Sequence, residues 1–222
     1  YYFLHEINHN IEFASDEISG VALASPVSQF MEDVLLYQQK AFGKDTSDVD
    51  NLLKNIDKDI EAIDAVDKTE GAHLKVSEDW KKVKTAWATL RANEKSATAE
   101  KNRGAYNEFM GQVSAFITST GNSSNLILDP DIDSYYTMDT ALTQNPNLLI
   151  NLAQARDLAS SIVQTGKIST HNKLELAVLM ERVNLAMGNI NNDIKQAVGY
   201  NASLKDSFEQ IRTPFDKSVM GF

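Results

Sequence analysis

The sequence predicts an all-α, elongated protein, built as two stacked bundles that share a long first and a long last helix. Three observations predict it. Apolar residues recur at three- and four-residue steps along nearly the whole chain, which is the repeat of one helix face. Strand-like alternation is missing and β-branched residues are not clustered. The last seam covers about fifty residues, roughly 70 Å of helix, which exceeds one compact bundle.

The first helix is expected from about Leu4 to Ala41. Leu4, Ile7, Ile11, Ala14, Ile18 and Val21 form a bundle seam. Past Pro26 the seam changes phase to Leu23, Val27, Phe30, Val34, Tyr37 and Ala41, so the helix either kinks or serves two sets of neighbours. A second helix is expected over Ser47 to Thr69, with the stripe Val49, Leu52, Leu53, Ile56, Ile60, Ile63 and Val66. A turn through Glu70-Gly71-Ala72 leads to Ser77, a helix N-cap, and to the stripe Trp80, Val83, Trp87 and Leu90. Tryptophans at that spacing read as core. Tyr106, Phe109, Met110, Val113 and Ile117 mark a helix that runs to Gly121; the spacing leaves open whether it continues the tryptophan helix.

Next comes Ser123 to Asp139, the densest run in the chain. Asp129 is expected to cap a helix whose first residue is Pro130, with Asp131 and Asp133 placed favourably for its dipole. Ile132, Tyr135, Tyr136, Asp139 and Leu142 share one face. Asp129, Asp131 and Asp133 also match the first three ligand positions of a calcium loop. Ser134 stands in place of the turn glycine, however, and Thr140 in place of the closing glutamate, so capping is the better reading. The helix is expected to end near Asn145-Pro146, and another to run from Pro146 to Gly166 and carry Arg156. The final helix is expected from Ser169 or Thr170 almost to the end, its seam unbroken past Gly188 and Gly199, with Pro214 kinking the last turns.

Composition narrows the function. With 21 Lys+Arg against 31 Asp+Glu and a net charge of -10, the chain lacks the basic surface that nucleic acid requires. It has no cysteine, hence no disulfide or thiolate chemistry. No apolar run is long enough to span a bilayer. The first residue is Tyr1 rather than Met, so the chain is expected to be a piece of something longer. His5-Glu6-Ile7-Asn8-His9 matches the HExxH zinc-protease pattern, in which two histidines hold Zn²⁺ and the glutamate activates water. So short a pattern between the seam positions Leu4, Ile7 and Ile11 reads as solvated polar residues. No metal or cofactor is expected.

The run Ser124 to Asp139, SNLILDPDIDSYYTMD, resembles the SNLxLDPDxDSYYxMD signature in the extracytoplasmic sensor regions of bacterial methyl-accepting chemotaxis receptors and of related membrane-bound kinases and diguanylate cyclases. Weaker matches keep the expected order. Glu17, Gly20 and Pro26 resemble an E-x-x-G…P pattern; Ser77, Trp80, Lys84, Trp87 and Leu90 an S-x-x-W…W-x-x-L segment; Pro146 and Arg156 a proline-to-arginine helix. The resemblance implies a helical bimodular sensor: six helices in two stacked four-helix bundles, with both ends at the membrane. It further implies a non-enzymatic periplasmic or extracellular domain of an inner-membrane receptor, a homodimer that binds a small molecule such as an organic acid. Tyr37 and Gln38 stand where family members often carry a His-Arg pair, and the first helix has no arginine. Candidate ligand contacts are Arg91, Arg103, Arg156, Arg182, Tyr135, Tyr136 and Asp139; Asp129, Pro130, Asp131, Asp133, Trp80 and Trp87 are expected to be structural.

Overall fold

The long first seam makes a single helix, α1 (Tyr2–Phe42), which carries Pro26 in its interior. The structure, a computed structural model, describes residues 2–43, 46–128 and 130–210. After α1 come α2 (Val49–Val66), α3 (Ser77–Asn93), α4 (Ala99–Ser123), α5 (Ile132–Asp139), α6 (Asn145–Thr165) and α7 (Thr170–Tyr200). The described residues are all-α, with no strand. None of their helices is long and apolar enough to cross a membrane.

The main core gathers α2, α3 and α4 around the second half of α1. Phe30 sits at its centre, edge-on to Trp80 at 5.9 Å, Trp87 at 6.2 Å and Phe109 at 6.1 Å, while Trp80 stacks on Phe116 at 5.6 Å. Such aromatic contacts add about 0.5–1.5 kcal/mol each beyond the area they bury. Both tryptophans are therefore core, and the Trp80 indole N–H is satisfied by Asp64 Oδ1 at 2.6 Å. α6 leans on this core through Leu149, Ile150 and Ala153. Its other side packs against α7, where Leu148 meets Val183 and Ala186, and Leu158 meets Leu179.

The two seams of α1 have different fates. Leu23, Val27, Phe30, Val34 and Tyr37 are buried. Ile7, Ile11, Ile18 and Val21 stay exposed, with Ile11 at 61% and Ile18 at 71%. The phase change near Pro26 therefore separates a seam buried in the core from one left exposed, although Ser19 and Gly20 on another face of the first half are buried.

Several boundaries settle what the spacing left open or differ from expectation. α3 and α4 are separate helices, because Thr98 caps α4 by accepting a hydrogen bond from the Lys101 amide. Ser77 is the first residue of α3 rather than its cap. The expected stop at Asn145-Pro146 does not occur. The chain stays helical from α5 through a π segment (Thr140–Gln144) into α6, because the wider π turn absorbs the proline at the start of α6. The last helix is not continuous either. α7 ends at Tyr200; the side chain of the next residue, Asn201, accepts a hydrogen bond from the Ser203 amide and donates one to Asp133 at 2.7 Å, which favours a break over another turn. Helix resumes at 205 after a 3₁₀ turn (Ala202–Leu204). Pro214 lies outside the described residues.

Candidate functional site

The run that resembles the receptor signature forms a joint between elements. Gly20 of α1 lies so close to Ser124 that a Cβ at position 20 would be 2.1 Å from the Ser124 hydroxyl. Asn125, held at φ 62°, donates to Asp16 Oδ2 at 3.3 Å, and the other oxygen of Asp16 meets His73 Nε2 at 2.5 Å. Residues of α1, of the turn after α2 and of the signature thus meet at one point.

Asp129 lies outside the described residues. The cap position of α5 is Asp131 rather than Asp129, and Pro130 precedes the helix instead of opening it; Asp131 caps without a side-chain bond to the first turn. Asp133 is tied instead to Asn201, a bond that holds its carboxyl below the usual carboxylate range. Tyr135 is exposed and Tyr136 half-buried, their rings edge-on at 5.3 Å. Asp139 accepts from Gln144 at 2.9 Å and faces Asp193, whose carboxyl is pushed up to about 6 by burial and then by Asp139. Its neighbours are thus an amide and a second acid.

The four candidate arginines separate. Arg182 is exposed on α7. Arg91 belongs to the closed core, where it donates to Tyr37 and Glu94 and lies 4.7 Å over the Tyr37 ring. Glu94 also accepts from the hydroxyls of Tyr37 at 2.8 Å and Tyr106 at 3.0 Å. Burial, then Glu94, pushes the Tyr37 hydroxyl up to about 12. This cluster is internally satisfied and fixes α1 to α3 and α4.

Arg103 and Arg156 come together. They share a polar cleft of about 510 Å³ at the C-terminal end of α1, walled by Gln38, Gln39, Lys40 and Phe42 of α1, Glu100 and Arg103 of α4, and Arg156, Asp157, Ser160, Ser161 and Gln164 of α6. Arg156 donates Nε and Nη2 to Asp157 Oδ1 at 3.0 and 2.9 Å, and Nη1 to Gln39 at 3.2 Å. Asp157 Oδ2 accepts from Gln38 at 2.6 Å. Burial raises the Asp157 carboxyl, while Arg156 and Arg103 act to lower it. Arg103 makes no hydrogen bond or ion pair among the described residues. At positions 37 and 38 the first helix therefore presents Tyr37 and Gln38 to arginine clusters supplied by α3 and α6.

The sequence reading missed Gln38, Gln39, Lys40, Glu100, Asp157 and Gln164 as cleft residues. Their one signal was Arg156-Asp157, a charged pair in an otherwise uncharged helix. Within HEINH, Glu6 and His9 are exposed, and among the described residues no group of three His, Cys, Asp or Glu side chains could hold a metal ion. No known protein family, curated protein or solved structure matches the chain.

Proposed function

We propose that this chain is the extracytoplasmic ligand-binding domain of a transmembrane signalling receptor of the chemoreceptor type, and that it is not an enzyme. The observation that carries the reading is the cleft in which Arg103 and Arg156 converge. It is solvent-open and polar, it lies within the size range of small-molecule sites, and its walls come from three helices, α1 among them. A ligand there can change how those helices pack, which is the only way binding can bias a conformational equilibrium. The ligand is a small organic acid held by guanidinium donors. The signature run, the Glu17-Gly20-Pro26 pattern and the tryptophan stripe favour this receptor class, whose output is a chemotaxis signalling, histidine kinase or diguanylate cyclase domain.

In the receptor, two stacked helical modules share α1 and the last helix, and flanking transmembrane segments continue both ends. Ile7, Ile11 and Ile18, exposed in the single chain, are covered by a second copy. An apolar helix seam left in water is otherwise an association liability.

Thermal melts of the purified domain with a panel of small carboxylates, amino acids included, test the site. The reading expects at least one ligand to raise the melting temperature of the native domain but not of Arg103→Ala. A panel without effect, or equal shifts in both proteins, contradicts it.

A further inference from the structure

The charges in the cleft specify more than an anion. Arg156 and Asp157 neutralise one another through two hydrogen bonds, and the second oxygen of Asp157 is taken by Gln38. Lys40 has an interaction of its own. That leaves Glu100 and Arg103, one charge of each sign, on the same wall of the cleft. They stand three residues apart on α4, a spacing that makes side chains neighbours on a helix surface. They nevertheless form no ion pair with each other, and among the described residues neither makes a hydrogen bond or ion pair elsewhere. Arg103 feels Asp157 only through space.

A dicarboxylate would bring its second negative charge against Glu100 and Asp157. A molecule without charged groups would leave the charges of both Arg103 and Glu100 unanswered. A ligand with adjacent opposite charges answers both: its carboxylate accepts from Arg103 while its ammonium donates to Glu100. The flanking amides of Gln39 and Gln164 and the hydroxyls of Ser160 and Ser161 offer further hydrogen bonds, and the Phe42 ring gives one apolar wall. We propose that the cleft ligand is a zwitterion, an α-amino acid, held between Arg103 and Glu100. This rests on the cleft being the ligand site.

Isothermal titration of the purified domain with the L-amino acids, and then with the deaminated acid and the decarboxylated amine of the tightest binder, tests it. The native domain is expected to bind the amino acid roughly ten- to a hundredfold more tightly than either analogue, the loss of one charge-assisted bond. Glu100→Gln, at an exposed position, is expected to weaken the amino acid by a similar factor while leaving the deaminated acid unchanged or tighter. Arg103→Gln is expected to weaken both acids, with its helical circular dichroism retained. If the deaminated acid binds as tightly as the amino acid and both depend on Arg103, the zwitterion fails and the cleft stands. If binding is indifferent to Arg103→Gln, or no amino acid binds, the proposal is overturned, and indifference to Arg103 overturns the site as well.

Discussion

Replacing Gly20 by alanine should destabilise the domain, although alanine is the better helix former. The added Cβ would lie 2.1 Å from the hydroxyl oxygen and 2.3 Å from the Cβ of Ser124, and 2.8 Å from a methyl of Leu126. Carbon atoms pack best at about 3.5–4.0 Å, so α1 and the signature run must part by more than about 1 Å. The methyl of Leu126 can swing away, whereas the Ser124 Cβ moves only with its backbone. Overpacking of this kind costs about 1–3 kcal/mol. Helix propensity returns at most about 1 kcal/mol. The net is a loss of about 1–2 kcal/mol, a fall in melting temperature of roughly 2–8 °C for a domain of this size. Gly188 is the control. A Cβ there meets nothing within 4 Å, so Gly188→Ala should stabilise by about 0.5–1 kcal/mol. Melts followed by far-UV circular dichroism compare the two, and Ser124→Gly in the Gly20→Ala background should recover much of the loss. If Gly20→Ala melts at or above the native temperature, the close approach of α1 to the signature run is wrong.

The domain should gain stability as pH falls from about 7 to about 5. Asp59, pushed up to about 6 by burial and then by Asp33, and Asp193, pushed to the same range by burial and then by Asp139, both bind a proton more tightly folded than unfolded. Each acid pair should therefore cost about 1 kcal/mol above the folded pKa, after allowance for solvent screening, and nothing below the unfolded value near 3.9. Denaturant melts across pH check the slope, and Asp59→Asn should flatten it. Trp80→Ala should cost about 3–5 kcal/mol, because the ring is fully buried between Phe30 and Phe116; a loss below about 1 kcal/mol by the same melts would count against the core described above. Joint replacement of His5 and His9 by alanine should leave melting and ligand binding unchanged, and stoichiometric zinc in the native protein, absent from the double variant, would revive the HExxH reading.

The helices were legible because their burial is periodic. Val27, Phe30 and Val34 follow α1 onto the core, and the spacing of Trp80 and Trp87 placed both inside. The breaks were less legible, because they are decided by partners remote in sequence. Asn201 is an ordinary helix residue until Asp133, 68 positions away, accepts its amide. The π turn at Thr140–Gln144 leaves no mark in a three- and four-residue repeat. At the cleft, arginine was a sound guide to where an anion could bind, but it named four residues and only Arg103 and Arg156 meet there. Arg91 faces the same end of α1 and is consumed by Glu94 and Tyr37. Which guanidinium is left open depends on the acids and amides around it. Those residues, Gln38 and Asp157 above all, become neighbours only once α1 lies against α6.

The proposed function requires that a ligand in the cleft alter the packing of α1 within a receptor dimer. The chain has no cysteine, so one introduced by Ile11→Cys reports on that packing without interference. The full-length receptor carrying Ile11→Cys, in native membranes, should form a disulfide between two copies. The rate should change when a ligand identified by titration is added at saturation, and adding Arg103→Gln should abolish the change at the same ligand concentration. A disulfide that never forms between the two copies, or one whose rate is the same with and without bound ligand, would contradict the claim.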